Sequence, residues 1–236
     1  MTLSAAELAR TIDHTLLKPE ATREQIDMLC DEAQQYGFAA VCVNPVYVQR
    51  VATRLARDVD SAGLSTRPAV ASVAGFPLGA NVTGTKVEEA RRAIGDGATE
   101  IDMVVSVGAL IDGDEHAVCA DIEAVADVVH RACRGAILKV ILECGVLTAE
   151  QIVRGCRCCI NGGADFVKTS TGLHPSGGAT VEQVRLLKQH ASGLRVKASG
   201  GIRTAAAARA MIEAGASRIG TSAGVSIIEE LRGAVP

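Results

Sequence analysis

The 236-residue chain has no tryptophan, only two tyrosines and three phenylalanines, so aromatic side chains cannot supply its core. Alanine, valine, isoleucine and leucine must do so instead, a composition suited to parallel strands covered by helices. An excess of charge is missing as well. The formal net charge is −3 and the isoelectric point lies near 6.0, which excludes a general electrostatic attraction to nucleic acid or to an anionic membrane. Any phosphate group must therefore be bound locally. No apolar run approaches the roughly 20 residues of a membrane span, and the opening MTLSAAELAR has neither the basic nor the apolar region of a secretory signal. These absences predict a cytoplasmic protein whose eight cysteines are free thiols rather than disulfides. One CxxC spacing exists, Cys156 to Cys159 around Cys158, but neither a second CxxC nor a histidine pair accompanies it, so no metal site is expected.

What the chain does contain is one pattern repeated from end to end: a short β-branched run, a polar or glycine-rich turn, then a helical segment. Eight such runs read as strands, at 12–17, 39–44, 68–75, 100–106, 138–143, 165–170, 195–199 and 218–222. Amphipathic helices are predicted over 22–36, 46–62, 86–95, 117–134, 148–162, 180–192 and 204–214, several opening on a capping threonine and closing on glycine. No Pro/Gly/Ser-rich linker divides the series. One closed (β/α)₈ barrel spanning residues 1–236 follows as the expected fold, with an open doubly wound sheet as the competing architecture.

Barrel enzymes work at the C-terminal ends of their strands, so the polar residues there are the ones that matter. Within the runs the chargeable residues are Asp13, Asp102, Lys139, Glu143, Lys168 and Lys197, and each has an ordinary explanation as a lining charge held in an ion pair. Lys168 in DFVKTSTG and Lys197 in RVKASGG stand apart. Both precede a strand end, both are followed by small hydroxyl residues and glycine, and a barrel makes their strands neighbours. Two adjacent buried ammonium groups disfavour double protonation, and desolvation acts in the same direction, leaving one amine neutral near pH 7. A neutral lysine attacks carbonyl carbon, which opens Schiff-base chemistry without metal or cofactor. Asp102, in EIDMVV, is the candidate proton carrier. Thr171-Gly172, Gly200-Gly201 and the GTSAG segment with Gly220 and Ser222 follow the last three strands, where barrel loops bind phosphate through backbone N–H groups. A small phosphorylated sugar or aldehyde is the expected partner. The residues leave open which lysine reacts, and they leave a phosphosugar isomerase, a different class I aldolase or a non-catalytic phosphometabolite-binding barrel as alternatives.

Taken together and in order, IDHTLLKP at 12–19, VCVNP at 41–45, AGFPLG at 74–79, EIDMVVSVGAL at 100–110, LKVILE at 138–143, GADFVKTSTG at 163–172, VKASGGIRT at 196–204 and IGTSAG at 219–224 resemble the deoxyribose-phosphate aldolase family. The resemblance implies a (β/α)₈ barrel and a class I, metal-independent aldolase that interconverts 2-deoxyribose 5-phosphate with acetaldehyde and glyceraldehyde 3-phosphate. It places the Schiff-base lysine at Lys168, the second lysine at Lys197 and the proton-relay aspartate at Asp102. Phosphate binding falls to Gly172, Gly200, Gly201 and Ser222, and the assembly implied is a monomer or homodimer. Three features depart from many relatives: LHPSGGAT replaces a more glycine-rich loop, Ala223 replaces a second serine, and the chain ends LRGAVP without the C-terminal tyrosine that some members carry.

Overall fold

The computed structural model describes residues 3–62 and 67–233. Eight parallel strands alternate with helices along the chain. The strands are β1 (Ile12–Leu16), β2 (Ala40–Val43), β3 (Ala69–Ala74), β4 (Glu100–Val104), β5 (Ile137–Ile141), β6 (Phe166–Lys168), β7 (Arg195–Ser199) and β8 (Arg218–Thr221). They close in sequence order, and β1 is hydrogen-bonded to β2 on one side and to β8 on the other, with Asp13 opposite both Ala40 and Gly220. That last pairing decides for a closed barrel over an open sheet, because an open sheet leaves β1 or β8 with a free edge.

The helices are α1 (Ala5–Ala9), α2 (Arg23–Tyr36), α3 (Val48–Ala62), α4 (Thr83–Gly95), α5 (Val107–Asp112), α6 (Glu115–Ala132), α7 (Ala149–Asn161), α8 (Val181–His190), α9 (Ala205–Glu213) and α10 (Gly224–Gly233). Seven correspond to the helices expected from sequence. The short α1 and α5, at five and six residues, are too brief to display a periodic repeat, and α10 starts on Gly-Val-Ser with no capping hydroxyl. Capping boxes fix several helix starts: Thr22 with Gln25, Thr148 with Gln151 and Thr180 with Gln183 exchange reciprocal side chain-to-backbone bonds. They set where each helix leaves the loop before it, and those loops form the mouth.

Alternation along the strands sorts the side chains. On β4, Ile101 and Met103 belong to the large core between barrel and helices, whereas Glu100 and Asp102 face other strands' charged groups inside the lumen. On β2 and β3 the inward residues are small and apolar, and Ala40, Cys42, Ala71 and Val73 form a separate cluster. One side of the lumen is therefore narrow and apolar, the other charged. Strand β6 ends at Lys168, two residues earlier than expected; Thr169 and Ser170 continue buried, with Cys144 N–H donating to the Thr169 carbonyl.

Candidate active site

Strand register brings the charged residues together. Asp102 lies opposite Lys139, Lys168 opposite Lys197, and Lys197 opposite Arg218. The three residues expected to carry the chemistry meet within hydrogen-bonding reach: Asp102 Oδ2 accepts from Lys168 Nζ at 2.7 Å and from Lys197 Nζ at 2.6 Å. Its other oxygen accepts from Lys139 Nζ at 2.8 Å. Below them, Lys197 also contacts Asp13 at 2.5 Å, Lys139 contacts Glu100 at 2.6 Å, and the Arg218 guanidinium donates to Asp13 and to Glu100. All but Arg218 are at most 5% exposed, so these charges have left water and depend on each other.

The electrostatics separate the two lysines between which residue type and spacing alone could not choose. Four basic groups, Lys139, Lys168, Lys197 and Arg218, share three carboxylates, Asp13, Glu100 and Asp102, so the cluster is electrically balanced when one amine is neutral. Burial lowers the pKa of Lys168; Asp102 opposes this, the Lys197 ammonium reinforces it, and the net displacement is downward. Burial acts on Lys197 too, but Asp102 and Asp13 together outweigh it and hold that group protonated. Lys139 is likewise raised, by Asp102, Glu100 and Asp13 against its burial. Burial also acts to raise the Asp102 carboxyl, yet Lys139, Lys168 and Lys197 keep it ionised, well below the ordinary carboxylate range. The amine that loses its proton more readily thus sits beside a carboxylate and an ammonium that can accept and return protons.

The mouth above Lys168 is a cavity of about 260 Å³. Thr171, Gly172, Gly200, Gly201, Gly220 and Ser222 all line it. Gly172, Gly200 and Gly201 have φ of 82°, 91° and 76°, a backbone region that side chains rarely adopt. Among the described residues, the N–H groups of Gly172, Gly200, Gly201 and Ser222 donate to no protein acceptor, and α10 begins just beyond Ser222. Unpaired amides converging beside a helix start suit an anion. Gly220 also serves a packing need, since a Cβ there would lie 3.1 Å from Lys197 Cε and 2.8 Å from Ser199 Cβ. Thr171 is differently employed: its N–H and its hydroxyl both point to Glu143, the hydroxyl at 2.5 Å.

Two charged lining residues escaped the sequence reading. Lys18 and Arg203 are exposed at the mouth, and neither is in an ion pair among the described residues. Nothing in LLKP or GGIRT distinguishes them from other surface cations; only the fold brings them to the glycine loops. Of the remaining candidates, Asp13 and Lys139 are the ion-paired lining charges anticipated, whereas Glu143 is buried against Thr171 instead of a cation. His14 binds Glu32 at 2.6 Å on the outer side of β1. Cys42 is buried and its thiol is pushed up to about 11, chiefly by that burial; Cys156 and Cys158 are pushed up to about 12 for the same reason. A roomier cleft of about 590 Å³ lies along α2 and α3, but none of the residues above lines it, and its Arg50 is already paired with Asp27 at 2.5 Å.

Comparison with known proteins agrees with this fold. Residues 8–230 match the model of a family described as DeoC/LacD family aldolase. A deoxyribose-phosphate aldolase of Thermococcus gammatolerans is 54% identical over 232 residues, covering 97% of this chain and 98% of that protein. One from a Geobacillus species is 52% identical over 223 residues, covering 94% and 95%. Among solved structures, the tetrameric deoxyribose phosphate aldolase of Aeropyrum pernix superposes with a TM-score of 0.87 at 35% identity, over 98% of this chain and 94% of that one. With that coverage and identity, and with the lysine–aspartate centre in place, the chain belongs to the DeoC/LacD family of aldolases.

Proposed function

We propose that this protein cleaves 2-deoxyribose 5-phosphate reversibly to acetaldehyde and glyceraldehyde 3-phosphate, with Lys168 as the Schiff-base residue. The observation that carries this is the split between the lysines: Lys168 is displaced downward while Lys197, on the same Asp102 oxygen, is displaced upward. Lys168 Nζ attacks the substrate aldehyde carbon, and Asp102 and Lys197 supply and remove the protons that convert the carbinolamine to an imine with loss of water. Loss of the C3 hydroxyl proton then drives cleavage between C2 and C3. Glyceraldehyde 3-phosphate leaves, the electron pair stays as an enamine on Lys168, and protonation followed by hydrolysis releases acetaldehyde. No metal or cofactor takes part in this scheme.

The phosphate is assigned to the amides of Gly172, Gly200, Gly201 and Ser222, with Gly220 making room and Lys18 and Arg203 balancing the charge. Thr171 enters as the residue that fixes the loop. The whole barrel acts as one catalytic unit in the cytoplasm, as a monomer or homodimer, a point that sedimentation velocity decides. Incubation with 2-deoxyribose 5-phosphate and EDTA should release acetaldehyde, and borohydride added during turnover should place the adduct on the peptide containing Lys168. An adduct on Lys139 or Lys197, or acetaldehyde without any trapped adduct, would remove Lys168 from the role.

A further inference from the structure

Glu143, just beyond β5, has φ 60° and ψ 56°, and among the described residues it is the one non-glycine side chain with positive φ. That conformation crowds Cβ against the backbone, so a glutamate holds it only where neighbouring contacts require it. The residue is 3% exposed, and its carboxyl group takes part in no ion pair among the described residues. A buried acidic side chain with no cation beside it needs another reason for its place. What it contacts explains its presence. Both oxygens lie 3.3 Å from Thr171 N, and Oε2 accepts the Thr171 hydroxyl proton at 2.5 Å. Thr171 Oγ1 in turn accepts from Leu173 N–H at 3.2 Å, so the two residues bracketing Gly172 are tied to one carboxylate.

A second contact lies two residues on. Gly145, in the same turn after β5, leaves room for Ser176, whose Oγ would be 2.5 Å from a Cβ there. The turn after β5 therefore touches the loop after β6 at both ends. That loop in turn abuts the loop after β7: a Cβ on Gly172 would lie 3.2 Å from Gly200 Cα, and one on Gly178 2.0 Å from the Gly200 carbonyl oxygen.

We infer that Glu143 is a positioning residue for substrate phosphate: through Thr171 it holds the loop after β6 so that the Gly172 amide meets those of Gly200 and Gly201. It touches no reacting atom, and this role rests on the phosphate assignment made above. It also accounts for Thr171 lining the mouth without a free donor.

The test separates KM from kcat. Glu143→Ala should raise KM for 2-deoxyribose 5-phosphate at least about tenfold and lower kcat less than about threefold, because Lys168 and Asp102 keep their contacts. The inhibition constant of inorganic phosphate should rise by the same factor, and the preference for 2-deoxyribose 5-phosphate over unphosphorylated 2-deoxyribose should fall by it. Glu143→Gln, which keeps an acceptor of the same reach, should restore most of the loss. Thr171→Val guards against a Glu143→Ala protein that does not fold; it removes the hydroxyl bridge at nearly constant volume and should show the same pattern. If either folded variant only lowers Tm and leaves phosphate inhibition within about twofold of wild type, Glu143 is a fold support and the inference is overturned. A wild-type enzyme that turns over both sugars equally and is not inhibited by phosphate would instead refute the phosphate assignment, and this inference with it.

Discussion

At the scale of single residues, the difference between Lys168 and Lys197 comes down to one extra carboxylate. Both are buried and both donate to Asp102 Oδ2, but Lys197 also reaches Asp13, and that contact keeps its proton. Burial lowers the Lys168 pKa, and the Lys197 ammonium adds to that displacement. The sign of the pH effect follows. Because the Lys168 pKa is lowered from 10.5, its neutral fraction grows as pH rises through that lowered value, and kcat/KM should climb along an acid limb in step. Lys197→Met removes the charge that depresses Lys168 and a proton donor as well. The acid limb should move to higher pH, and kcat/KM at pH 7 should fall by about 10²–10⁴-fold. A pH–rate profile of the folded variant that superposes on wild type would reduce Lys197 to a structural charge.

At the scale of elements, the mouth is lined by the ends of β1, β6, β7 and β8 and the loops after them, with the turn after β5 braced against the loop after β6, and glycine is what lets the loops after β6 and β7 touch. Gly178 is the sharpest case, since the Cβ of alanine there would overlap the backbone carbonyl of Gly200, which has no side-chain freedom with which to yield. Gly178→Ala should cost about 1–3 kcal/mol in urea unfolding and raise KM for the phosphorylated substrate through displacement of Gly200. Unchanged stability and KM would mean that the two loops separate at little cost. The replacement of a more glycine-rich loop by LHPSGGAT retains both Gly177 and Gly178, and the added His174 pairs locally with Ser176 at 2.7 Å. The departure from many relatives is thus absorbed within the loop.

At the scale of the whole molecule, the buried charge cluster joins β1, β4, β5, β6, β7 and β8 across the lumen, so it belongs to the barrel rather than to any unit of it. Asp13 and Asp102 both have lowered pKa values: burial acts to raise them, and the surrounding cations outweigh it. A carboxylate depressed in the folded state stabilises above its unfolded value, near 3.8, and that stabilisation is lost as pH falls through the folded value. Unfolding free energy should therefore decline with pH once it drops below about 4. Asp102→Asn leaves Lys139, Lys168 and Lys197 facing a neutral amide and should cost about 3–5 kcal/mol at pH 7. It should also flatten the acid decline, because one of the linked protons is gone. Urea midpoints measured between pH 7 and pH 2 check both effects, and parallel curves for the two proteins would deny Asp102 its share in the linkage.

The sequence by itself determined the eight-fold alternation of strand and helix, the strand ends that carry Asp102, Lys168 and Lys197, and the glycines after the last three strands. Those features reside in local periodicity, capping and turn chemistry, which neighbouring residues dictate. The hydrogen-bonded closure of β1 on β8, the Asp13 contact that sets Lys197 apart from Lys168 and the arrival of Lys18 and Arg203 at the mouth appear only in the tertiary structure. An amine's pKa depends on distance to charges rather than on position in the chain, and the Asp13–Arg218 contact in this cluster spans 205 positions. The same holds for Glu143, an ordinary strand-end acid in LKVILE until the fold sets it against Thr171, 28 positions away.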